Sequence, residues 1–155
     1  AGYTLSETMY NFPEFGVDDF PSSNDVTHEF KFVNMYNLGR WDFSLTWVYA
    51  TGRPYTEPTG GYSISLLDGT EQDFVSVSSK NTVRLPDYHR LDAGITYSWE
   101  GFRGGHNALS VSLFNLYNRE NVWYKEYQIE ENEIIETNMN FLGFTPNLTF
   151  TYNFR

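Results

Sequence analysis

Residues 41–50, WDFSLTWVYA, alternate without a break. Trp41, Phe43, Leu45, Trp47 and Tyr49 hold the odd positions, and Asp42, Ser44, Thr46, Val48 and Ala50 the even ones. A helix would scatter these two sets around its circumference, whereas a strand places each set on its own face. The stretch is therefore a strand with one continuous apolar face and one small or polar face. Such a strand needs a partner for its apolar side, and the first question is whether that partner is a protein core.

Five further stretches have related patterns. Gly2–Asn11 puts Tyr3, Leu5 and Met9 on one face, with the weakest alternation of the set. His28–Tyr36 carries Phe30, Phe32 and Tyr36, interrupted by Asn34. Arg90–Trp99 sets Leu91, Ala93, Ile95, Tyr97 and Trp99 against Asp92, Gly94, Thr96 and Ser98. Asn107–Tyr117 and Asn147–Phe154 repeat the scheme, the second with Leu148, Phe150, Tyr152 and Phe154. At about 8–11 residues these strands exceed the usual 5–6 of soluble sheets and match the length of a tilted membrane-crossing strand.

The connections alternate in length. NLGR joins the second and third strands and EGFRGG the fourth and fifth, both glycine-containing hairpin turns. The segments 12–27, 52–89 and 118–146 are long. An antiparallel barrel with short turns at one end and long loops at the other has this rhythm. The three long segments carry 15 of the 20 acidic residues and 5 of the 10 basic ones, and hence all of the net charge of −10. An acidic chain of this kind is a poor partner for nucleic acid. Trp41, Tyr49, Tyr97, Trp99, Tyr117 and Tyr152 fall near strand ends, where amphipathic rings suit a membrane interface. These features together turn the apolar face outward, toward lipid. No apolar run is long enough for a transmembrane helix, and the absence of cysteine excludes disulfides and thiolate metal sites. With neither an initiating Met nor a signal peptide at Ala1, the expectation is a processed chain or part of a longer one.

Several segments, WDFSLTWVYATGRPYTEP, RLPDYHRLDAGITYSW, SLFNLYNRENVWY and FTPNLTFTYNF, resemble the C-terminal barrel of TonB-dependent outer-membrane receptors, particularly those of Bacteroidota. The resemblance extends over residues 1–155. It implies an all-β, antiparallel transmembrane barrel of 22 strands, of which these would be the last six, with the plug and the earlier strands lying outside this sequence. It places the chain in the outer membrane of a Gram-negative bacterium, with long loops extracellular and short turns periplasmic. It implies import of a nutrient (siderophore, glycan, cobalamin or peptide) driven by the TonB–ExbB–ExbD complex through the absent N-terminal region. Further implied partners are the barrel-assembly machinery, membrane lipids and lipopolysaccharide, and a surface lipoprotein lid. Phe150, Tyr152 and Phe154 resemble the terminal assembly signal, although Arg155 follows the last aromatic. Six strands alone would leave two edges whose N–H and C=O groups lipid cannot satisfy, which also points to a larger object. Two alternatives stand beside this reading: a small outer-membrane barrel closed by oligomerisation, and a soluble calycin-like barrel with a lipid inside.

Chemistry is sparse. His28, His89 and His106 have no metal-ligand spacing, no serine sits in a nucleophile-elbow context, and GFRGG joins strand to strand rather than cradling a phosphate. The expectation is a chain without catalytic residues, metal or cofactor. Glu126, Glu130, Glu131, Glu133 and Glu136 could attract cations, but read more simply as a solvated hairpin running from VWYKEYQI through EEN into EIIETNMN. TGRPYTEPTGGY is the candidate for ligand contact, through Arg53, Tyr55 and Tyr62, with packing of the loop onto the barrel rim as the plainer role. Asp87 and Arg90 are placed to form an ion pair.

Overall fold

The structure, a computed structural model, describes residues 1–15, 17–101, 104–130 and 133–153. Its frame is one six-stranded antiparallel sheet. The strands are β1 (Gly2–Leu5), β4 (His28–Leu38), β5 (Trp41–Ala50), β10 (Tyr88–Glu100), β11 (His106–Phe114) and β14 (Thr145–Asn153), adjacent in that order. Between them, the long connections carry β2 (Met9–Phe12) with β3 (Val17–Pro21), β6 (Pro54–Tyr55) with β9 (Val83–Arg84), β7 (Pro58–Ser65) with β8 (Glu71–Val77), and β12 (Val122–Glu130) with β13 (Glu133–Asn140). The connection between β2 and β3 carries a 3-10 turn at Pro13–Phe15. The sheet stays open in the described residues, with β1 at one edge and β14 at the other.

Register joins the separate alternations into two continuous faces. Phe32 stands opposite Trp47, which stands opposite Leu91; Tyr36 opposite Phe43 opposite Ile95; Ile95 opposite Val111 opposite Leu148. A slip of one residue at any pair would mix the faces, so the pattern selects this register. Leu38 meets Trp41 across Gly39–Arg40, and Gly39 has φ 64°, the first-position requirement of a type II′ hairpin turn.

The apolar face has an internal order. At the turn end, rings follow one another across the strands: Trp41–Tyr97 at 4.6 Å, Tyr97–Trp99 at 5.7 Å and Trp99–Phe150 at 6.1 Å. At the loop end a second belt contains Phe30–Trp47 at 5.6 Å, Trp47–Tyr49 at 6.3 Å and His89–Tyr117 at 5.5 Å. Between the belts the face is mainly aliphatic: Leu45, Ala93, Ile95, Val111 and Leu113 around Asn34 and Phe43, forming a shallow groove of about 350 Å³. The opposite face is more polar and bonded to itself, with Thr96 and Ser110 hydroxyls at 2.8 Å, Arg90 on Asp92 at 2.9 Å and Lys31 on Glu29 at 2.7 Å, although it also carries Val33, Met35, Val48 and Phe114.

Phe20 and Pro54 are the buried apolar side chains among the described residues. The chain exposes 11263 Å², against about 8,100 Å² for a compact soluble monomer of its mass. The uncovered sheet and the projecting hairpins, which also expose large apolar side chains such as Leu67 and Trp123, both add to the difference.

The first strand departs from expectation. Instead of one run to Asn11, it breaks after Leu5, and Met9 enters a loop hairpin. Ser6 N–H still follows the β1–β4 register, donating to Thr27 O at 3.0 Å, and the competing partner comes at Thr8, whose N–H donates to the buried Asp25 carboxylate at 2.8 Å. The anticipated hairpin over VWYKEYQI and EIIETNMN is present as β12–β13, its EEN tip falling partly outside the described residues. The hairpins β2–β3 and β7–β8 were not anticipated.

Candidate functional site

Long-loop roots meet the polar face of the sheet at the loop end and enclose a cavity of about 450 Å³. Glu29, Tyr88 and Arg90 reach it from the sheet, Arg53 from the root of the second long loop, and Trp123 and Phe141 from the base of β12–β13. Alternation explains the sheet contribution, because positions 29, 88 and 90 lie on the polar side of β4 and β10. The aromatic wall is built by contact: Tyr88 meets Phe141 edge-on at 5.7 Å, and Trp123 tilts against Phe141 at 5.7 Å.

Charge within the cavity is uneven. Arg90 is fully engaged: Nε donates to Asp92, Nη1 to the Tyr88 hydroxyl at 2.9 Å, and its guanidinium lies 3.9 Å over the Phe114 ring. Glu29 is paired with Lys31. The exposed Arg53 guanidinium has no partner among the described residues, while its backbone carbonyl accepts Leu85 N–H at 2.9 Å. The arrangement offers one free cation beside an exposed aromatic surface, which suits ligand binding. Among the described residues no cluster of His, Asp and Glu could hold a metal ion.

The three candidate ligand residues separate. Arg53 lines the cavity. Tyr55 is a strut between loops: Lys125 Nζ sits 5.4 Å over its ring. Burial, the Tyr55 contact and the Glu136 carboxylate push the Tyr127 phenol above its ordinary range, while the Glu136 bond at 2.6 Å and Tyr55 raise Lys125. Tyr62 stands further out on β7, stacked on Phe74 at 5.6 Å and half exposed. Of the terminal signal, Phe150 and Tyr152 are exposed on the apolar side of β14, and Phe154 lies outside the described residues. The expected Asp87–Arg90 pair gives way to two others: Asp87 accepts the Tyr49 hydroxyl at 2.7 Å and Gly52 N–H at 3.1 Å, and Arg90 turns to Asp92 on the polar face.

Three polar devices hold the loop roots and so shape the cavity. Asp25, 1% exposed, accepts from Thr8 N–H, from Arg84 Nη2 at 2.6 Å and from the Thr27 hydroxyl, and Arg84 Nη1 reaches Gly52 O. Burial would raise its carboxyl, but the Arg84 hydrogen bond and charge with the Thr8 and Thr27 bonds lower it below the ordinary value. Asn81 bridges Pro21 O and the Thr56 hydroxyl. In NLYNREN, three asparagines spaced by three each satisfy backbone: Asn115 binds Arg119 N–H, Arg119 O and Leu142 O; Asn118 accepts Phe144 N–H; Asn121 exchanges two bonds with His89. Asn115 and Asn118 take φ of 54° and 52°, conformations asparagine tolerates. The i, i+3, i+6 asparagine spacing was the available signal for this device and went unread. Trp123 and Phe141 carried none, since their meeting depends on where β12–β13 leans.

No family model, curated protein or solved structure matches the chain.

Proposed function

We propose that this chain is the six-strand closing sector of a transmembrane β-barrel, the wall and outer loops of a TonB-dependent receptor that imports a nutrient across an outer membrane. One observation carries the membrane part. The apolar face is bare, banded aromatic–aliphatic–aromatic, whereas the base of β12–β13 leans over the polar face. A soluble sheet would bury its apolar side under such elements. A barrel wall does the reverse, with its banded face in lipid and its polar face lining a hydrated lumen. The cavity of Arg53, Tyr88, Trp123 and Phe141 then opens on the lumen side, where arriving cargo would first meet the wall.

Two features support a larger barrel. β1 pairs with β4 only from His28 to Lys31, leaving the outer edge of β4 from Phe32 to Leu38 open, and β14 has one open edge along its length. Within lipid both edges require further strands. The import assignment, its TonB–ExbB–ExbD drive and a lipoprotein lid rest on the resemblance of the quoted segments.

The test is made on the native polypeptide extracted in detergent from its own membrane. Spin labels at Leu45 and Leu113 should be relaxed by oxygen, and labels at Thr46 and Ser112 by a water-soluble nickel complex. The intact mass should be several times 18.1 kDa, and uptake should stop when TonB is removed. Equal nickel access on both faces would refute the membrane wall. A mass near 18.1 kDa would replace the receptor by the oligomeric barrel, whose copies would have to close the same two open edges.

A further inference from the structure

We propose that the loop-end cavity takes a planar aromatic ring bearing one carboxylate, with Arg53 on the carboxylate and the ring against Trp123 and Phe141. The inference deepens the import reading, on which its role as a cargo site rests. The ligand class itself follows from the cavity.

Charge selects an anion. Two arginines line the cavity, and Arg90 is already engaged by Asp92 and the Tyr88 hydroxyl. Arg53 has no counter-charge among the described residues. Its guanidinium fork matches a carboxylate in plane and can bond it through two N–H groups. The Tyr88 hydroxyl accepts from Arg90 Nη1 at 2.9 Å, which leaves its own O–H to donate to the same ligand.

The surroundings limit that anion to a single charge. Glu29 also lines the cavity; it and Tyr88 both stand opposite Ala50, two strand spacings or about 10 Å apart. The three long segments carry the whole net charge of −10. A second anionic group, or the second charge of a phosphate, would meet these carboxylates with no further free cation among the described lining residues.

The walls select a ring. Trp123 and Phe141 are 55% and 41% exposed, and their rings lie 5.7 Å apart with 34° between their planes. Bare faces of this kind stack on a flat ligand. Val48 and Ala50 give the strand side of the cavity small apolar groups, and Val26, Leu85, Pro86 and Val122 add to the lining. A sugar acid also offers a carboxylate and an apolar C–H face, but its several hydroxyls would lie against these groups. Thr51 Oγ already accepts His28 N–H at 3.1 Å, and Glu29 is paired with Lys31. Each hydroxyl buried without a partner weakens binding, a cost that an aromatic ring does not carry. The volume of about 450 Å³ lies within the range of small-molecule sites.

The experiment uses the full-length native polypeptide in detergent and isothermal titration calorimetry. Probes are naphthoate, its neutral amide, a naphthalene dicarboxylate and glucuronate. Naphthoate should bind roughly tenfold or more tighter than the amide, as a charge-assisted hydrogen bond predicts. The dicarboxylate and glucuronate should both bind more weakly than naphthoate. Arg53→Gln should bring naphthoate down to the level of the amide, Arg53→Lys should restore part of the preference, and Phe141→Ala should weaken both probes alike. The wild-type comparison of probes tests the ligand class even if a variant does not fold. Equal binding of naphthoate and its amide, binding of neither, or tighter binding of the dicarboxylate or of glucuronate would overturn the inference. A polypeptide that prefers naphthoate yet stays soluble without detergent would keep the site and remove the import reading instead.

Discussion

Leu45→Arg isolates the physics of the banded face. Leu45 lies four residues from Trp41 and four from Tyr49, about 13 Å along the strand from each. Those residues belong to the two aromatic belts, so Leu45 sits at the middle of the apolar band. An arginine at the midplane of a barrel wall costs about 2–4 kcal/mol, and one near an interface about 0–1 kcal/mol. At about 1.4 kcal/mol per decade, the midplane change lowers the folding equilibrium roughly 30- to 1,000-fold. Trp41→Arg should lose far less through charge placement, though it also removes ring contacts with Tyr97 and Phe43. Thr46→Arg, one residue along and on the polar face opposite Asp92, should stay within about 0.5 kcal/mol. The assay is urea-dependent folding of the full-length polypeptide into lipid vesicles, with folded fraction read by heat-modifiable gel mobility. Equal losses at Leu45 and Thr46 would refute the two-faced wall, and a loss at Leu45 no greater than at a band edge would refute the assigned depth.

Asn115→Ala removes a fully buried amide and leaves Arg119 N–H, Arg119 O and Leu142 O without that partner; the expected destabilisation is about 3 kcal/mol, read as a shift in urea midpoint and faster proteolysis at 115–121. Gly52→Ala drives a Cβ into the Leu85 carbonyl, a backbone atom that cannot step aside, so the second long loop should detach from its root and hydrogen exchange at the Leu85 amide should rise. Asp25 sets a pH dependence: because its folded carboxyl lies below the ordinary aspartate value of 3.8, the tie it makes is fully present above that value and is lost as pH falls through the folded pKa. Amide exchange at Thr8 should accelerate only on strong acidification, and Asp25→Asn should give a weakened tie that no longer depends on pH in this range.

The long strands were legible because their signal is local. Alternation over ten residues needs no knowledge of a partner, and β5, β10, β11 and β14 appear near where their patterns run. The short turns account for the β4–β5 and β10–β11 pairings, whereas β1–β4, β5–β10 and β11–β14 pair across the long connections. β1 was misjudged where the pattern was weakest, and the side chain that stops it, Asp25, is 17 residues away from the Thr8 amide it captures. No window of local sequence contains that competition.

The candidate site divides along the same line. Arg53 was singled out by its place at a strand end and does line the cavity, yet Tyr55 and Tyr62, in the same short stretch, face different neighbours. Trp123, Phe141 and Tyr88 meet only because β12–β13 leans toward the polar face. By itself the sequence determined the strands, their two faces and the segregation of charge into the loops, all consequences of period-two geometry and of which side chains water tolerates. Only the tertiary structure decided where the loops are tied, which face they cover and which side chains line the cavity, because those contacts join residues about 20 to 60 positions apart through single hydrogen bonds and ring contacts that leave no periodic trace.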